Sequence, residues 1–206
     1  MIPPPTVPAQ SSGPRAAKPL RADARRNQAR VLAAAEAVFA AKGTAASTEE
    51  IARQAGVGIG TVFRHFPTKQ ALLEAVLVGR LQRLADEVDA LAAAEDPGAA
   101  LFSFFAGVVG QAATKLALVD ALAAAGVEVV RHATSSPVGQ ELVGALGTLL
   151  TRAQRAGTVR ADIGVAELIG LLVGTSRAVE QAGWDPKVQA RIVAVVFDGL
   201  RSAHPR

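Results

Sequence analysis

An all-α fold follows from three features of the 206-residue sequence. Apolar residues recur three and four apart through most of the chain, Gly and Pro breaks divide those stretches, and no run alternates in the manner of a half-buried strand. About nine helices are expected, three in a small N-terminal bundle and the rest in a longer helical region.

Residues 1–20 hold Pro3, Pro4, Pro5, Pro8, Pro14 and Pro19 among Ser, Gly and Ala. Such a composition cannot bury a core, so a disordered tail is expected, and without an apolar central segment it is not a secretory signal. Arg15, Lys18, Arg21, Arg25 and Arg26 give the end of this tail two readings that stay open: an arm on a minor groove and its phosphates, or a solvated segment with no contact. The first helix is expected from about Ala22 to Lys42. Val31, Leu32, Ala35, Val38 and Phe39 form its inner face and Gly43 closes it.

The next stretch, STEEIARQAGVGIGTVFRHFPTK from Ser47 to Lys69, carries most of the functional information. Ser47 with Glu50 three residues on is a capping box, so a helix begins there. Ile51, Ala52 and Ala55 share one apolar face, and Gly56 supplies a left-handed stop. After Gly56-Val57-Gly58 a second short helix follows, in which Val62 and Phe66 bury while Thr61, Arg64, His65 and Lys69 remain polar. Two short helices around a glycine turn form a helix-turn-helix, whose second member lies in the major groove; an ordinary helical hairpin has the same spacing. Charge separates the two readings. Residues 1–85 carry 12 Lys and Arg against 5 Asp and Glu, a net of +7, whereas residues 86–206 carry 10 against 13, a net of −3. A duplex is held largely through neutralised phosphates, so the basic half is the half suited to nucleic acid.

Phe66-Pro67-Thr68-Lys69 breaks the second helix and restarts the chain with Thr68 as N-cap. Leu72, Leu73, Val76, Leu77, Leu81, Leu84, Val88 and Leu91 then trace the stripe of a helix of some six turns that leaves the small bundle and enters the rest. Beyond Asp96-Pro97-Gly98 five more helices are expected, broken near Gly126, at Ser135-Ser136-Pro137, from Gly157 to Asp162 and from Gly183 to Pro186. The last two, about 165–181 and 186–203, carry apolar residues on more than one face, which implies a partner surface. Half of the residues are hydrophobic, yet no uncharged apolar stretch suits a bilayer span, and the chain has no Cys. A soluble, cytoplasmic protein is expected, with the missing Cys consistent with a reducing compartment.

The run from about Arg25 to Leu84, with NQARVLAAAEAVFAAKG, STEEIARQAGVGIGTVFRHFPTK and QALLEAV in order, resembles the N-terminal DNA-binding domain of the TetR family of bacterial transcriptional regulators. AGTVRADIGVAELIGLLVG resembles a later helix entry of many members. The resemblance implies an all-α protein in which residues 1–20 are a tail, 21–68 a helix-turn-helix DNA-binding domain and 69–206 a helical effector-binding and dimerisation domain. It implies DNA contacts from Thr48, Thr61, Phe63, His65 and Lys69. Thr48 would meet a phosphate through its hydroxyl, with capping as its alternative role. Phe63 stands where many relatives have tyrosine, so it keeps the ring but loses a hydroxyl that would bind phosphate; packing is its alternative. His65 is expected on a phosphate or in a structural role. Arg64 is the residue best able to read guanine, while Ile59 and Gly60 at the start of the helix bring no polar side chain to the duplex, so direct readout looks sparse and DNA shape contributes. Arg25 and Gly60 complete the expected DNA-binding set.

The same resemblance implies a homodimer through the last two helices, for which Leu168, Leu172, Val188, Ile192, Val195 and Val196 are the expected contacts. It implies an effector pocket among the middle helices, with Phe102, Phe105, Val109, Leu116, Leu142, Leu146 and Leu150 as candidate walls, although any core needs such residues. An apolar or amphipathic effector of unknown identity is expected, with a double-stranded operator as the other partner. No cofactor, metal site or catalytic group is expected: His65, His132 and His204 are far apart, and no nucleophile elbow or phosphate loop is present. A repressor released by its ligand fits best. An activator, a regulator without a ligand, and a helical dimerisation protein that no longer docks on DNA remain open.

Overall fold

The computed structural model of the chain describes residues 17–112 and 116–202, with the side chains of residues 17–22, Leu116, Val130 and Ala133 left out. Among the described residues the α-helices are, in order, α1 Ala17–Lys42, α2 Thr48–Ala55, α3 Ile59–His65, α4 Lys69–Leu91, α5 Pro97–Ala112, α6 Leu116–Ala124, α7 Val129–Ser135, α8 Pro137–Arg155, α9 Val165–Ala182 and α10 Pro186–Leu200. A single turn of tighter helix, Gly43–Ala45, joins α1 to the motif. Among the described residues no strand forms, and the one β-type feature is an isolated bridge between Val159 and Arg201. The all-α expectation holds. The apolar run after Pro97 is carried by α5 and α6, inclined by 76°.

Helix α1 starts at Ala17, earlier than the expected Ala22, and takes in Pro19. A proline fits a first helical turn, where its missing N–H has no intrahelical acceptor. The expected arm lies mostly outside the described residues: Arg15 wholly, Lys18 and Arg21 in their side chains. At the other end, α10 stops at Leu200 rather than near residue 203, because the following backbone is taken by another segment. Arg160 N–H donates to Leu200 O at 2.9 Å and Ser202 N–H to Thr158 O at 3.2 Å, which closes the C-terminal end onto the α8–α9 connection. His204 lies outside the described residues.

The core runs continuously from the small bundle into the larger one. Val31, Ala35 and Phe39 of α1 close on Ile51 of α2, Val62 of α3 and Leu72 and Val76 of α4. Further along α4, Leu77, Leu81 and Val88 pack with Leu142, Leu146 and Leu149 of α8. The stripe expected on α4 is thus buried almost throughout, and this helix belongs to both parts of the molecule. Among the described residues no single helix is long and apolar enough to cross a membrane; the bent pair α5 and α6 passes by length and composition, with much of it in the core.

Candidate nucleic-acid interface and internal cavity

Ser47 Oγ accepts the Glu50 N–H at 3.1 Å and starts α2 as its spacing predicts. The second half of the expected capping box is replaced. The Glu50 carboxylate takes Lys42 Nζ at 2.6 Å, because an ammonium at the end of α1 is a stronger donor than a backbone amide. Gly56 ends α2 in the left-handed conformation, φ +62°, where an L side chain is disfavoured. Arg30 Nη2 donates to Gly56 O at 3.1 Å and ties the turn to α1. Arg30 was not singled out by sequence; its place on the outer side of α1 gives no local hint of a contact with a turn 26 residues later.

Helix α3 is seated by Val62, which is fully buried, and by Phe66, whose N–H bonds Val62 O at 2.8 Å. The opposite face is open. Phe63 is 45% exposed, Ile59 38%, and Gly58, Gly60 and Arg64 are exposed, while Thr61 and His65 are half-buried at the edge. Ile59 and Phe63, four apart, leave an apolar spot on this face, and the neighbouring glycines leave room for a close approach. Arg64 and Arg25 have no ion pair or side-chain hydrogen bond among the described residues, so both charges are available. The His65 ring sits 6.2 Å from that of Phe66, at the rim of the packed side.

Two residues expected at the interface have other partners. Lys69 Nζ donates to Thr44 O at 2.8 Å and lies 5.9 Å from the centre of the Phe39 ring, so it braces the start of α4 against the Gly43–Ala45 turn. Thr48 Oγ1 reaches the Glu49 carboxylate at 3.5 Å, a weak contact at the first turn of α2, and the capping role belongs to Ser47.

A cavity of about 180 Å³ opens between α4, α5, α6, α8 and α9. Its walls are apolar, including Leu81, Leu84, Leu118, Leu122 and Leu172, but Arg80, Ser176, Arg177 and Glu180 form one polar end. Of the candidates expected from sequence only Leu142 lines it. Phe102 and Phe105 instead pack against Phe197 of α10, Phe102 tilted and Phe105 edge-on, with ring centres 4.6 and 5.6 Å away; Val109, Leu146 and Leu150 are buried in the general core; and the side chain of Leu116 lies outside the described residues. Periodicity marks a residue as inward but not which inward residues border a void. The charged end has a mark in the sequence: Arg80 interrupts the stripe Leu77, Leu81, Leu84, and Ser176 and Glu180 are four apart on α9.

On the outside of α9 and α10, Leu171, Trp184, Val188 and Val195 are exposed, Val195 by 70%, and Val188, Arg191, Ile192, Val195 and Val196 border a shallow groove. The expected contact set is divided. Leu168 is buried in the chain's own core and Leu172 faces the cavity, whereas Val188, Ile192, Val195 and Val196 lie toward the outer groove. No group of three or more His, Cys, Asp and Glu is placed to hold a metal among the described residues.

Two family models match the sequence. "Bacterial regulatory proteins, tetR family" covers residues 31–76, and "Transcriptional regulator SbtR-like, C-terminal domain" covers residues 96–202. Among solved structures, a TetR transcription regulatory protein from Mycobacterium vanbaalenii is 48% identical over 89% of this chain and 99% of its own, with a TM-score of 0.69. A TetR transcriptional regulator from Streptomyces coelicolor is 35% identical over 86% of this chain and 99% of its own, with a TM-score of 0.65. A TetR-family regulator from Pectobacterium atrosepticum is 25% identical over 90% and 99%, with a TM-score of 0.68. No curated protein matches.

Proposed function

This chain belongs to the TetR family of bacterial transcriptional regulators, and from that premise we propose that it is a homodimeric repressor released from its operator by a small apolar or amphipathic molecule. DNA-binding regulation is the family's activity. The finer reading rests foremost on the open face of α3, where Phe63, Arg64, Thr61 and Gly60 surround a helix whose other side is fixed by Val62.

In this reading residues 21–68, extended at their start by the first turn of α1 from Ala17, form the DNA-binding domain, and 69–206 form the effector and dimer domain. Phe63 and Thr61 meet the groove wall, Arg64 reaches base edges or phosphate, and Arg25 adds a phosphate contact from α1. Lys69 and Thr48 act at the margin, Lys69 through the position it gives the motif. The outer groove of α10 with Leu171 and Trp184 pairs with its copy and spaces two recognition helices about one duplex turn apart.

Release is favoured by the position of α6. Leu118 and Leu122 face the cavity, while the same helix packs on the Gly43–Ala45 turn below α1. A ligand that prefers one placement of α6 changes the population of DNA-binding dimers by its differential affinity for the two states. An activator would use the same coupling with the opposite sign.

Selection of bound duplexes from a random pool tests the proposal. A pseudo-palindromic sequence is expected, with binding lost on Thr61→Ala and Phe63→Ala, and Arg64→Ala lowering the salt slope by about one if Arg64 meets phosphate. Enrichment of no sequence would reject the reading and favour a dimerisation protein.

A further inference from the structure

The polar end of the cavity has a composition that selects among ligands. Arg80 of α4 lines the cavity, and it makes no hydrogen bond or ion pair with the described residues. Its neighbour Arg83 has taken the Glu36 carboxylate, with Nη2 2.7 and 2.6 Å from the two oxygens. From α9, Ser176 Oγ and Glu180 Oε2 are buried and have no hydrogen-bond partner, and the Glu180 side chain is only 7% exposed. The cation next to Glu180 is Arg177, whose Nη1 is 3.7 Å from Oε2. Buried polar groups left without partners are costly, so a cluster of them around a void points to a molecule that completes their bonds.

The free donors of the site favour one sign for that molecule. Arg83 is held by Glu36, and Arg177 lies beside Glu180, on which Asp120 and Arg80 also act; of the three arginines Arg80 alone makes no ion pair or hydrogen bond among the described residues. An ammonium head at Glu180 would meet the charges of Arg177 and Arg80, which both act on that carboxylate. An anionic head meets the five donors of a guanidinium, and Ser176 can donate to it as well. Burial raises the pKa of the Glu180 carboxyl, which eases the approach of an anion to it.

We infer that the cavity binds an amphiphilic carboxylate, its head on Arg80 and Ser176 and its hydrocarbon part among Leu81, Leu84, Leu118 and Leu122. This rests on the effector reading above and adds the chemical class of the ligand. The apolar walls set no direction along the chain, so recognition lies at the head.

Calorimetric titration of the full-length protein with octanoate, octan-1-ol and octylamine, matched in chain length, tests it. Octanoate should bind at least about tenfold more tightly than either of the others, because a charged hydrogen bond in a closed site is worth that factor or more. Arg80→Gln should remove the preference. Ser176→Ala should reduce it with little effect on folding, which guards against misfolding of the Arg80 variant. Equal binding of all three, preference for octylamine, or binding of none overturns the inference. Operator release, measured in parallel, separates the two claims: equal binding with release leaves the effector reading standing, whereas Arg80-dependent octanoate binding without release rejects that reading and keeps the ligand class.

Discussion

A Cβ placed on Gly43 would lie 2.8 Å from the carbonyl oxygen of Ala117, so the turn after α1 and the start of α6 touch through backbone. Gly43 also has φ +54°, which L side chains rarely adopt. Gly43→Ala must therefore strain the turn and push α6 away. A loss of about 1–2 kcal/mol in urea unfolding is expected, together with weaker operator binding. Unchanged affinity in a variant that remains folded would show that α6 does not govern the motif.

Arg83 and Glu36 join α4 to α1 at 2.6 Å, but the side chains are 59% and 31% exposed. Solvent screens such a pair, and Glu36→Ala should cost no more than about 1 kcal/mol. Its larger expected effect is on the ligand response, since Arg83 is then free to turn toward Arg80. A double-mutant cycle of Glu36→Ala with Arg83→Gln, read in stability and in operator release, separates the two effects.

Val62 and Phe63 are adjacent and should behave oppositely. Val62 is fully buried, so Val62→Ala should destabilise the protein by about 2 kcal/mol. Phe63 is 45% exposed, so Phe63→Ala should leave stability within about 0.5 kcal/mol while operator affinity falls. Thermal unfolding and duplex titration of both variants provide the check.

Burial raises the pKa of the Glu180 carboxyl, with Arg177 and Arg80 opposing the shift. The folded chain then keeps a proton that the unfolded chain has released. Stability from this group is full below the ordinary glutamate value of about 4.3 and declines as pH rises from there through the raised folded value. Glu180→Gln should flatten the decline and stabilise the protein at neutral pH; an unaltered pH profile would contradict it.

Val195 is 70% exposed on α10. Val195→Asp should leave the chain folded, because no core contact is lost, yet convert the proposed dimer to monomer in sedimentation velocity and abolish tight operator binding. A dimer that persists would place the interface elsewhere.

The helical class and the local design of the motif are legible before any fold is known. Ser47, Gly56 and Thr68 act on backbone groups within a few residues, and Val62 with Phe66 share a face by spacing alone, so no distant contact is needed to read them. Long-range packing sets which inward side chains meet a void, turns Phe102 and Phe105 to Phe197 instead, holds Lys69 on Thr44 O, and brings Arg80 of α4 to a cavity with Ser176 and Glu180 of α9. Periodicity records the direction of a side chain from its own helix. A cavity depends on where several helices, set by the packing of the whole chain, fail to fill the space between them.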